Sequence, residues 1–488
     1  MVFFMKKITS GIMVFIILGT FLIAVNPVSA GTIHVYPGDD IVAKIGAAES
    51  GDTVYVHSGT YDISAYQYGI EINNPNVTII GDDPLNTIID CRGSAICIGK
   101  INWGSNPPYT ILDNTTIKNL TLRNFLVYGI FLNGNNVTIE NCKFNLMADI
   151  IPISGDICCI FGNGDNWAIK NISMSENNFF QGVRIEGILG GGDNWMVDGF
   201  AFDKNEFKIK STLNPVAGAG NNWTIKNGTA NNNTFEDGGT FYGLQLGGTN
   251  SLIKNISVSG NKMLADTSFY GISLVGENSF GEHSSIINCT VSNNALGTNT
   301  TGEELVFGIC AYVIFISVEN CIVTSNTASD ALTPVYGIWV PKLEGYNLIK
   351  YSNSWNNKDN WGQAFGRLGP GAEPGEGCIS ADPIFTKGPL GDFYLSNSSP
   401  CVDSGSDLAT NHGLSTGFTT NIKGVFDTGT VDMGYHYSSN GGSETQYLPV
   451  GKIIKILKEN QEEYIYFILN RSEEHPSELQ LRQVNSYA

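Results

Sequence analysis

Charged side chains are scarce in this 488-residue chain. They make up 15% of it, and basic residues are the scarcer kind, with 27 Lys and Arg against 46 Asp and Glu. The resulting net charge of −19 makes nucleic acid and anionic membrane surfaces poor partners. The six histidines are scattered, and no Cys/His spacing typical of zinc sites occurs. Helical periodicity is absent as well, so short β-strands are the expected elements.

Long apolar runs are equally rare, and the one present lies near the N-terminus. Residues 1–30 carry a basic region at Lys6 and Lys7, an apolar core over 12–25 and a small-residue cleavage site at 28–30. This is the pattern of a secretory signal peptide. The run is short for a membrane span, although a retained anchor stays an alternative. We therefore expect a secreted or cell-surface protein, without a membrane span after signal removal and with a net charge near −21 from its 25 basic and 46 acidic residues.

Ten cysteines follow this segment, and an oxidising compartment permits disulfides among them. Cys142, Cys289 and Cys321 occupy positions where other repeats carry Ile or Phe. We expect them to fill the core as free thiols. Cys378 and Cys401 lie in the non-repeating C-terminal part and are the better candidates for a disulfide.

What the chain has in abundance is a periodic asparagine: Asn177, Asn205, Asn233, Asn261, Asn294, Asn326 and Asn357. The first four are 28 residues apart, and later gaps of 33, 32 and 31 residues accommodate small insertions. Fixed self-similarity of this length is typical of stacked units, each of which contacts only its neighbours. A side-chain amide both donates and accepts hydrogen bonds. Asparagines one strand spacing apart can therefore form a buried ladder.

Each repeat also contains three short segments of strand type. The first ends in a phrase such as Ile169-Lys170-Asn171, with its apolar residue inward and its charged residue outward. The second presents an inward apolar pair such as Ile172 and Met174. The third follows an aromatic-Gly-aliphatic theme, as in Tyr242-Gly243-Leu244. Three strands of about five residues and three turns account for the length of such a repeat.

With these features the chain resembles the right-handed parallel β-helix proteins with a pectin-lyase-like fold. The resemblance covers residues 31–365 and implies an all-β, single-stranded solenoid with an N-terminal cap coil. The phrases Asp382-Pro383-Ile384-Phe385 and Asp432-Met433-Gly434-Tyr435 are similar to the C-terminal closing module of many surface β-helix proteins, which implies such a module over residues 366–437. Residues 438–470 are expected to be a linker and an uncertain segment. Residues 471–488 resemble a translated sequencing adapter, and we expect a non-native tail there.

Enzymes of the resembled fold carry catalytic groups on the outer face of one parallel sheet and its bordering loops. Strict alternation along the third strand assigns one column of residues to that face: Phe131, Phe161, Leu189, Ala217, Gln245, Ser273, Cys310 and Trp339. This column lacks charge, whereas a glycosidase needs two carboxylates and a lyase needs a base and charge neutralisation. We therefore assign no catalytic residue and treat four of these side chains as candidate ligand contacts: Phe131, Phe161, Gln245 and Trp339.

Two groups of charged residues are alternative candidates. Arg184 and Glu186 are interpreted as a local ion pair at a turn. Asp165 and Asp193 occupy matching positions on adjacent coils, where carboxylates and turn carbonyls can bind Ca²⁺. Other coils carry Asn or Thr at that position, as an ordinary polar turn would. Calcium is thus the one cofactor that the sequence suggests.

The function expected from the sequence is contact with a polysaccharide or cell-surface glycan, by an exported and monomeric β-helix repeat protein. An acidic chain repels polyuronates. We therefore expect no pectate cleavage, and weak binding of neutral glycans through exposed aromatics such as Trp339. Two alternatives stay open: a polysaccharide lyase or glycoside hydrolase with loop-borne catalytic residues, and a structural stalk.

Overall fold

The computed structural model describes residues 30–100, 110–146, 155–180, 182–264, 267–276, 283–297, 306–313, 315–330, 333–342, 348–361, 371–439, 454–458 and 461–465. Residues 1–29 of the expected signal peptide and the expected tail at 471–488 lie outside these ranges. No helix among the described residues is long and apolar enough to cross a membrane. A single-turn helix, Ile41–Gly46, begins after Asp40, whose side chain accepts a hydrogen bond from the Ala43 N–H and so caps the helix.

Parallel sheets form the walls of a β-helix, and the predicted solenoid is confirmed. The first sheet has 18 strands: Thr32–Val35, Thr53–Val56, Gly59–Asp62, Thr78–Gly81, Thr87–Asp90, Thr116–Lys118, Thr121–Arg123, Thr138–Asn145, Ala168–Ser173, Met196–Ala201, Thr224–Thr229, Leu252–Ser259, Ser284–Ile287, Thr290–Ser292, Ile316–Glu319, Ile322–Thr324, Leu348–Lys350 and Asn353–Trp355. The second sheet has nine strands: Ile96–Gly99, Tyr128–Asn133, Asp156–Asn163, Arg184–Gly191, Ser211–Ala219, Gly239–Gly247, Thr267–Val275, Val306–Tyr312 and Val335–Trp339. The third sheet has six two-residue strands: Asn178–Phe179, Glu206–Phe207, Thr234–Phe235, Lys262–Met263, Ala295–Leu296 and Thr327–Ala328.

The chain bends within the first sheet at residues in the left-handed conformation. Asn119, Asn141 and Asn171 have φ values of 59°, 52° and 53°, which asparagine tolerates better than most residues. Their amides form a ladder, in which Asn171 Nδ2 donates to Asn141 Oδ1 at 2.9 Å and Asn141 Nδ2 donates to Asn119 Oδ1 at 3.1 Å. The first and second segments predicted from the sequence therefore belong to one bent sheet.

The predicted buried asparagine ladder is confirmed. Each amide nitrogen from Asn177 to Asn326 donates to the Oδ1 atom of the next asparagine in the series, over 2.8–3.0 Å. The backbone N–H of the same residue donates to the same oxygen, as Asn205 does to Asn233 at 3.0 Å. The ladder thereby satisfies buried amides that turns between sheets would otherwise leave unpaired.

Aromatic side chains stack along the interior in the same manner. The rings of Trp167, Trp195 and Trp223 lie 4.5 and 4.7 Å apart and nearly parallel. Glycines of the second sheet face them. A Cβ atom at Gly190 would come within 2.6 Å of two of these rings. Small residues on one wall thus make room for large residues on another.

The C-terminal residues form a small module that packs along the side of the solenoid. Two antiparallel strand pairs build it, Phe385–Gly388 with Gly391–Leu395 and Phe418–Thr419 with Tyr437–Ser438. Asn255 fixes it to the first sheet, because its Nδ2 donates to His436 O at 3.0 Å and its Oδ1 accepts from the His436 N–H at 2.7 Å. A further antiparallel pair comprises Ile454–Lys458 and Gln461–Ile465.

The expected disulfide between Cys378 and Cys401 is wrong. Both cysteines are free, and the disulfide of the described residues joins Cys91 to Cys97. Cys401 instead accepts a hydrogen bond from Asn353 Nδ2 at 3.1 Å. The bridge lies within the coils and not in the non-repeating C-terminal part, because Cys91 and Cys97 stand at the end of one strand and the start of the next. The expectation for the repeat cysteines holds, since Cys142, Cys289 and Cys321 are buried free thiols.

Candidate functional site

The outer face of the second sheet carries the column of residues that the sequence assigned to it. Strand pairing aligns these residues from coil to coil: Phe131, Phe161, Leu189, Ala217, Gln245, Ser273, Cys310 and Trp339. The predicted register of this column is therefore confirmed.

The exposure expected for Trp339 is wrong. Its side chain is 1% exposed and packs with Phe307, Cys310 and Tyr336 in an apolar cluster separate from the main core. Phe131 is 8% exposed and stacks on Phe161 with ring centroids 4.9 Å apart. Of the four predicted contacts, Phe161 and Gln245 remain partly open to solvent.

A second outward column lies three residues before the first, and the sequence analysis missed it. Its members follow the same register: Tyr128, Cys158, Glu186, Asn214, Tyr242, Tyr270, Phe307 and Tyr336. Arg184 lies two residues before Glu186, and Asp156 lies two residues before Cys158. The strand register places Arg184 and Asp156 opposite each other on adjacent strands. The expectation of a face without charged side chains is therefore wrong.

The cause is a break in the alternation of side chains. Cys159 and Ile160 are consecutive and both fully buried, so residues 158 and 161 both face outwards. The first residue of such a pair is glycine in most coils. A Cβ atom at Gly187, for example, would come within 2.4 Å of the Phe202 ring inside the solenoid. Glycine inside a strand often marks such an irregularity, and a strict period of two cannot reveal it.

Arg184 and Glu186 form the expected ion pair, but within a strand of the sheet and not at a turn. Arg184 Nε and Nη2 donate to Glu186 Oε1 at 2.7 and 2.6 Å. Glu186 is 5% exposed, and this burial raises the pKa of its carboxyl above the usual value, against the lowering effect of Arg184. Burial thus disfavours the charged form of this carboxyl, and Arg184 favours it.

Two buried oxygens on this face lack a hydrogen bond. Among the described residues, Glu186 Oε2 and Asn214 Oδ1 have no partner, and the two residues sit opposite each other on neighbouring strands. Asn214 Nδ2 reaches Gln245 Oε1 over a long 3.4 Å. An unpaired buried acceptor costs about 1–3 kcal/mol. A ligand that brings hydroxyl donors would remove this cost.

Aromatic rings flank this polar centre on both sides along the solenoid. Tyr128 lies against Phe161 at 5.7 Å on one side, and Tyr242 stacks on Tyr270 at 5.3 Å on the other. All four are partly exposed. Four strand spacings of 4.7–4.9 Å separate Tyr128 from Tyr242, roughly 19 Å. The polar centre and its aromatic flanks together form an elongated strip, which we call the aromatic strip: Tyr128, Phe161, Arg184, Glu186, Asn214, Tyr242, Gln245 and Tyr270.

The predicted calcium ligands lie away from this strip, in the turns after the second sheet. Asp165 Oδ1 accepts from the Asp193 N–H at 2.8 Å, and Asp193 Oδ1 accepts from the Asn221 N–H at 2.7 Å. Each carboxylate thus satisfies the backbone of the next coil, as a polar turn residue does. No group of three or more metal-ligating side chains occurs among the described residues. Calcium binding at Asp165 and Asp193 stays a prediction.

Comparison with known proteins gives similarity to solved structures alone. No protein-family model and no curated protein matches the chain. The A-module of the Azotobacter vinelandii mannuronan C-5 epimerase AlgE6 is 17% identical over 70% of this chain and 94% of its own, with a TM-score of 0.28. Pectate lyase Pel9A is 14% identical over 77% and 92%, with a TM-score of 0.34. XylC, solved with xylose, is 9% identical over 74% and 88%, with a TM-score of 0.33.

Proposed function

We propose that this chain binds an extended polysaccharide along the aromatic strip. The observation that carries the proposal is the pair of oxygens on Glu186 and Asn214 that have no partner among the described residues, set between partly exposed aromatic rings. A sugar ring has hydroxyl donors on its edge and apolar C–H groups on its face. Donors suit the two oxygens, and apolar faces suit the rings of Tyr128 and Tyr242.

The charges of the strip favour a neutral glycan. Arg184 is engaged by Glu186, Asp156 is exposed beside it, and the whole chain has a net charge of −19. A polyuronate would approach a surface of its own sign and would find no unpaired cation in the strip. The location we propose is extracytoplasmic, either secreted or at the cell surface, which the signal-like residues 1–30 and the Cys91–Cys97 disulfide support.

Affinity electrophoresis tests this proposal. Gels containing laminarin, xyloglucan or glucomannan should retard the protein, and Tyr242→Ala should weaken the retardation at least fivefold. Tyr68→Ala, which removes an exposed ring outside the strip, is the matched control and should be retarded as the parent is. Equal retardation of both variants, or no retardation by any of the three polymers, would contradict the proposal.

A second candidate, cleavage of the bound glycan, rests on the buried carboxyl of Glu186. Burial raises the pKa of this group, which is the direction of shift that a general acid requires. Asp156 supplies a second carboxyl on the same face, and glycoside hydrolysis uses two carboxyl groups. A reducing-end assay on a retained polysaccharide should then show release of ends by the parent protein and none by Glu186→Gln. Product release by both proteins, or by neither, would leave glycan binding as the function of this face.

A further inference from the structure

The outer face of the first sheet carries a row of alternating charges, and one of them has no ion pair with any residue that the structure describes. The register places Glu140, Lys170, Asp198 and Lys226 side by side on four coils. Lys118 pairs with Glu140 at 2.8 Å and Lys226 with Asp198 at 3.1 Å. Lys170, between these pairs, makes no ion pair within the described part of the chain. The ladder of cross-strand pairs expected along such a row is therefore interrupted at this coil.

The asparagine ladder at the bend of the first sheet is interrupted at the same place. Gly199 stands where neighbouring coils have Asn171 and Asn227, and it keeps their left-handed conformation with φ of 81°. Asn227 Nδ2 donates to Asp198 Oδ1 at 2.8 Å in place of the missing amide. Asn171 Oδ1 receives no hydrogen bond from any described residue. A cation and an acceptor on adjacent residues thus both lack a partner in the part of the chain that the structure describes.

A cavity of about 450 Å³ opens at these two groups. The C-terminal module forms its outer wall with Leu390, Phe418 and Tyr437, and the coil of Phe200 forms part of its inner wall. Its volume lies within the range of about 300–1,000 Å³ that small-molecule sites occupy. Two departures from the neighbouring coils coincide with this cavity between the module and the solenoid: the missing side chain at Gly199, and a lysine without an ion pair among the described residues.

The charges around the cavity balance. Asp198 forms a pair with Lys226, and the two other charged residues of the lining, Lys170 and Asp203, have opposite signs. The carboxylate of Asp203 already accepts from Thr229 Oγ1 at 2.7 Å and from the Asn231 N–H at 2.6 Å. A ligand with a net charge would leave one of these groups without compensation in a partly enclosed site.

We propose that this cavity is a second ligand site, which takes a neutral saccharide of one or two residues. Hydroxyl groups would donate to Asn171 Oδ1 and accept from Lys170 Nζ, and the apolar face of a sugar ring would lie against Phe418 and Tyr437. The site is separate from the aromatic strip, since it lies on the first sheet and not on the second. Its occupant would contact the solenoid and the C-terminal module together.

The decisive variant is Gly199→Asn. Asparagine already adopts the required φ at Asn171 and Asn227, and the nearest atom to a new Cβ is the movable Asn171 Oδ1 at 2.7 Å. The variant should fold with an unchanged or higher melting temperature, complete the ladder, and occupy the mouth of the cavity. Lys170→Gln removes the unpaired cation, and Lys350→Gln, at the same strand position on a distant coil, is its matched control.

Saturation-transfer NMR with cellobiose, maltose and xylobiose measures the outcome, with digalacturonate as a charged comparison. The parent protein should transfer saturation to at least one neutral disaccharide. The transfer should be at least tenfold weaker from Gly199→Asn and from Lys170→Gln, and as strong as that of the parent from Lys350→Gln. The proposal would be overturned if the parent protein transferred no saturation to any of the three neutral disaccharides. It would also be overturned if Gly199→Asn transferred as much as the parent, or if the parent transferred more to digalacturonate than to the neutral disaccharides. Retardation of Gly199→Asn by polysaccharide gels should equal that of the parent, so that the proposals for this site and for the aromatic strip can be refuted independently.

Discussion

Replacement of Asn233 by leucine tests the asparagine ladder that holds the coils together. Asn233 is fully buried, and its Nδ2 donates to Phe202 O and to Asn261 Oδ1, both at 2.9 Å. Its Oδ1 accepts from the N–H and the Nδ2 of Asn205, both at 3.0 Å. Leucine has a similar volume but makes none of these four hydrogen bonds.

The magnitude follows from the groups that lose their partners. The Asn205 N–H would be left buried and unpaired, which costs about 1–3 kcal/mol. The other three hydrogen bonds are each worth about 1 kcal/mol net, and the apolar gain of leucine offsets part of this loss. We expect a destabilisation of about 3–5 kcal/mol, felt first by the coils on either side because each coil contacts only its neighbours.

Hydrogen exchange measured by mass spectrometry reads this local loss directly. Amides in the peptides around residues 205 and 233 should exchange roughly 140- to 3,700-fold faster in Asn233→Leu, because each 1.4 kcal/mol is a factor of ten. Asn397→Leu, which changes an exposed asparagine, should leave exchange in these peptides unchanged. Exchange that is equally slow in the parent protein and in Asn233→Leu would refute the reasoning, because the ladder would then contribute nothing to stability.

Three further predictions concern stability. Burial raises the pKa of Asp203 to about 6, so its stabilising contribution is present below about pH 4 and is lost as the pH rises through 6. Asp203→Asn should therefore gain stability relative to the parent between pH 4 and 7, by up to about 3 kcal/mol in denaturant titrations. A difference in stability that does not change with pH would contradict this. Gly190→Ala should cost about 1–3 kcal/mol in the same titrations, because its Cβ would overlap two stacked tryptophan rings, and a neutral effect would show that the stack is loose. Peptide mapping without reduction should recover Cys91 joined to Cys97, whereas a map with both as free thiols would contradict the structure.

The repeat architecture could be predicted from the sequence because its signals are local and recur. Residues such as Asn205 and Asn233 mark each coil at a fixed spacing, and a side chain with both a donor and an acceptor has one evident use when it is stacked. The register of the outward column from Phe131 to Trp339 followed from the same spacing.

The candidate site could not be predicted in the same way, because it depends on departures from regularity. Glu186 faces outwards only because Gly187 breaks the alternation of its strand, and a single break moves the side chains before it to the other face. The burial of Trp339 depends on neighbours such as Tyr312 that lie on another coil, and single-strand patterns carry no information about them. The missing side chain at Gly199 leaves a cavity only because the C-terminal module covers this position, and the sequence does not show that contact.

Hydrogen exchange with bound glycan tests the central proposal, polysaccharide binding along the aromatic strip, most directly. The measurement uses whichever of laminarin, xyloglucan and glucomannan retards the protein most strongly. Slower exchange is predicted in the peptides that contain the strands Arg184–Gly191, Ser211–Ala219 and Gly239–Gly247, with no change in Thr224–Thr229 of the first sheet. Protection confined to the first sheet, or no protection at saturating polysaccharide, would contradict the account.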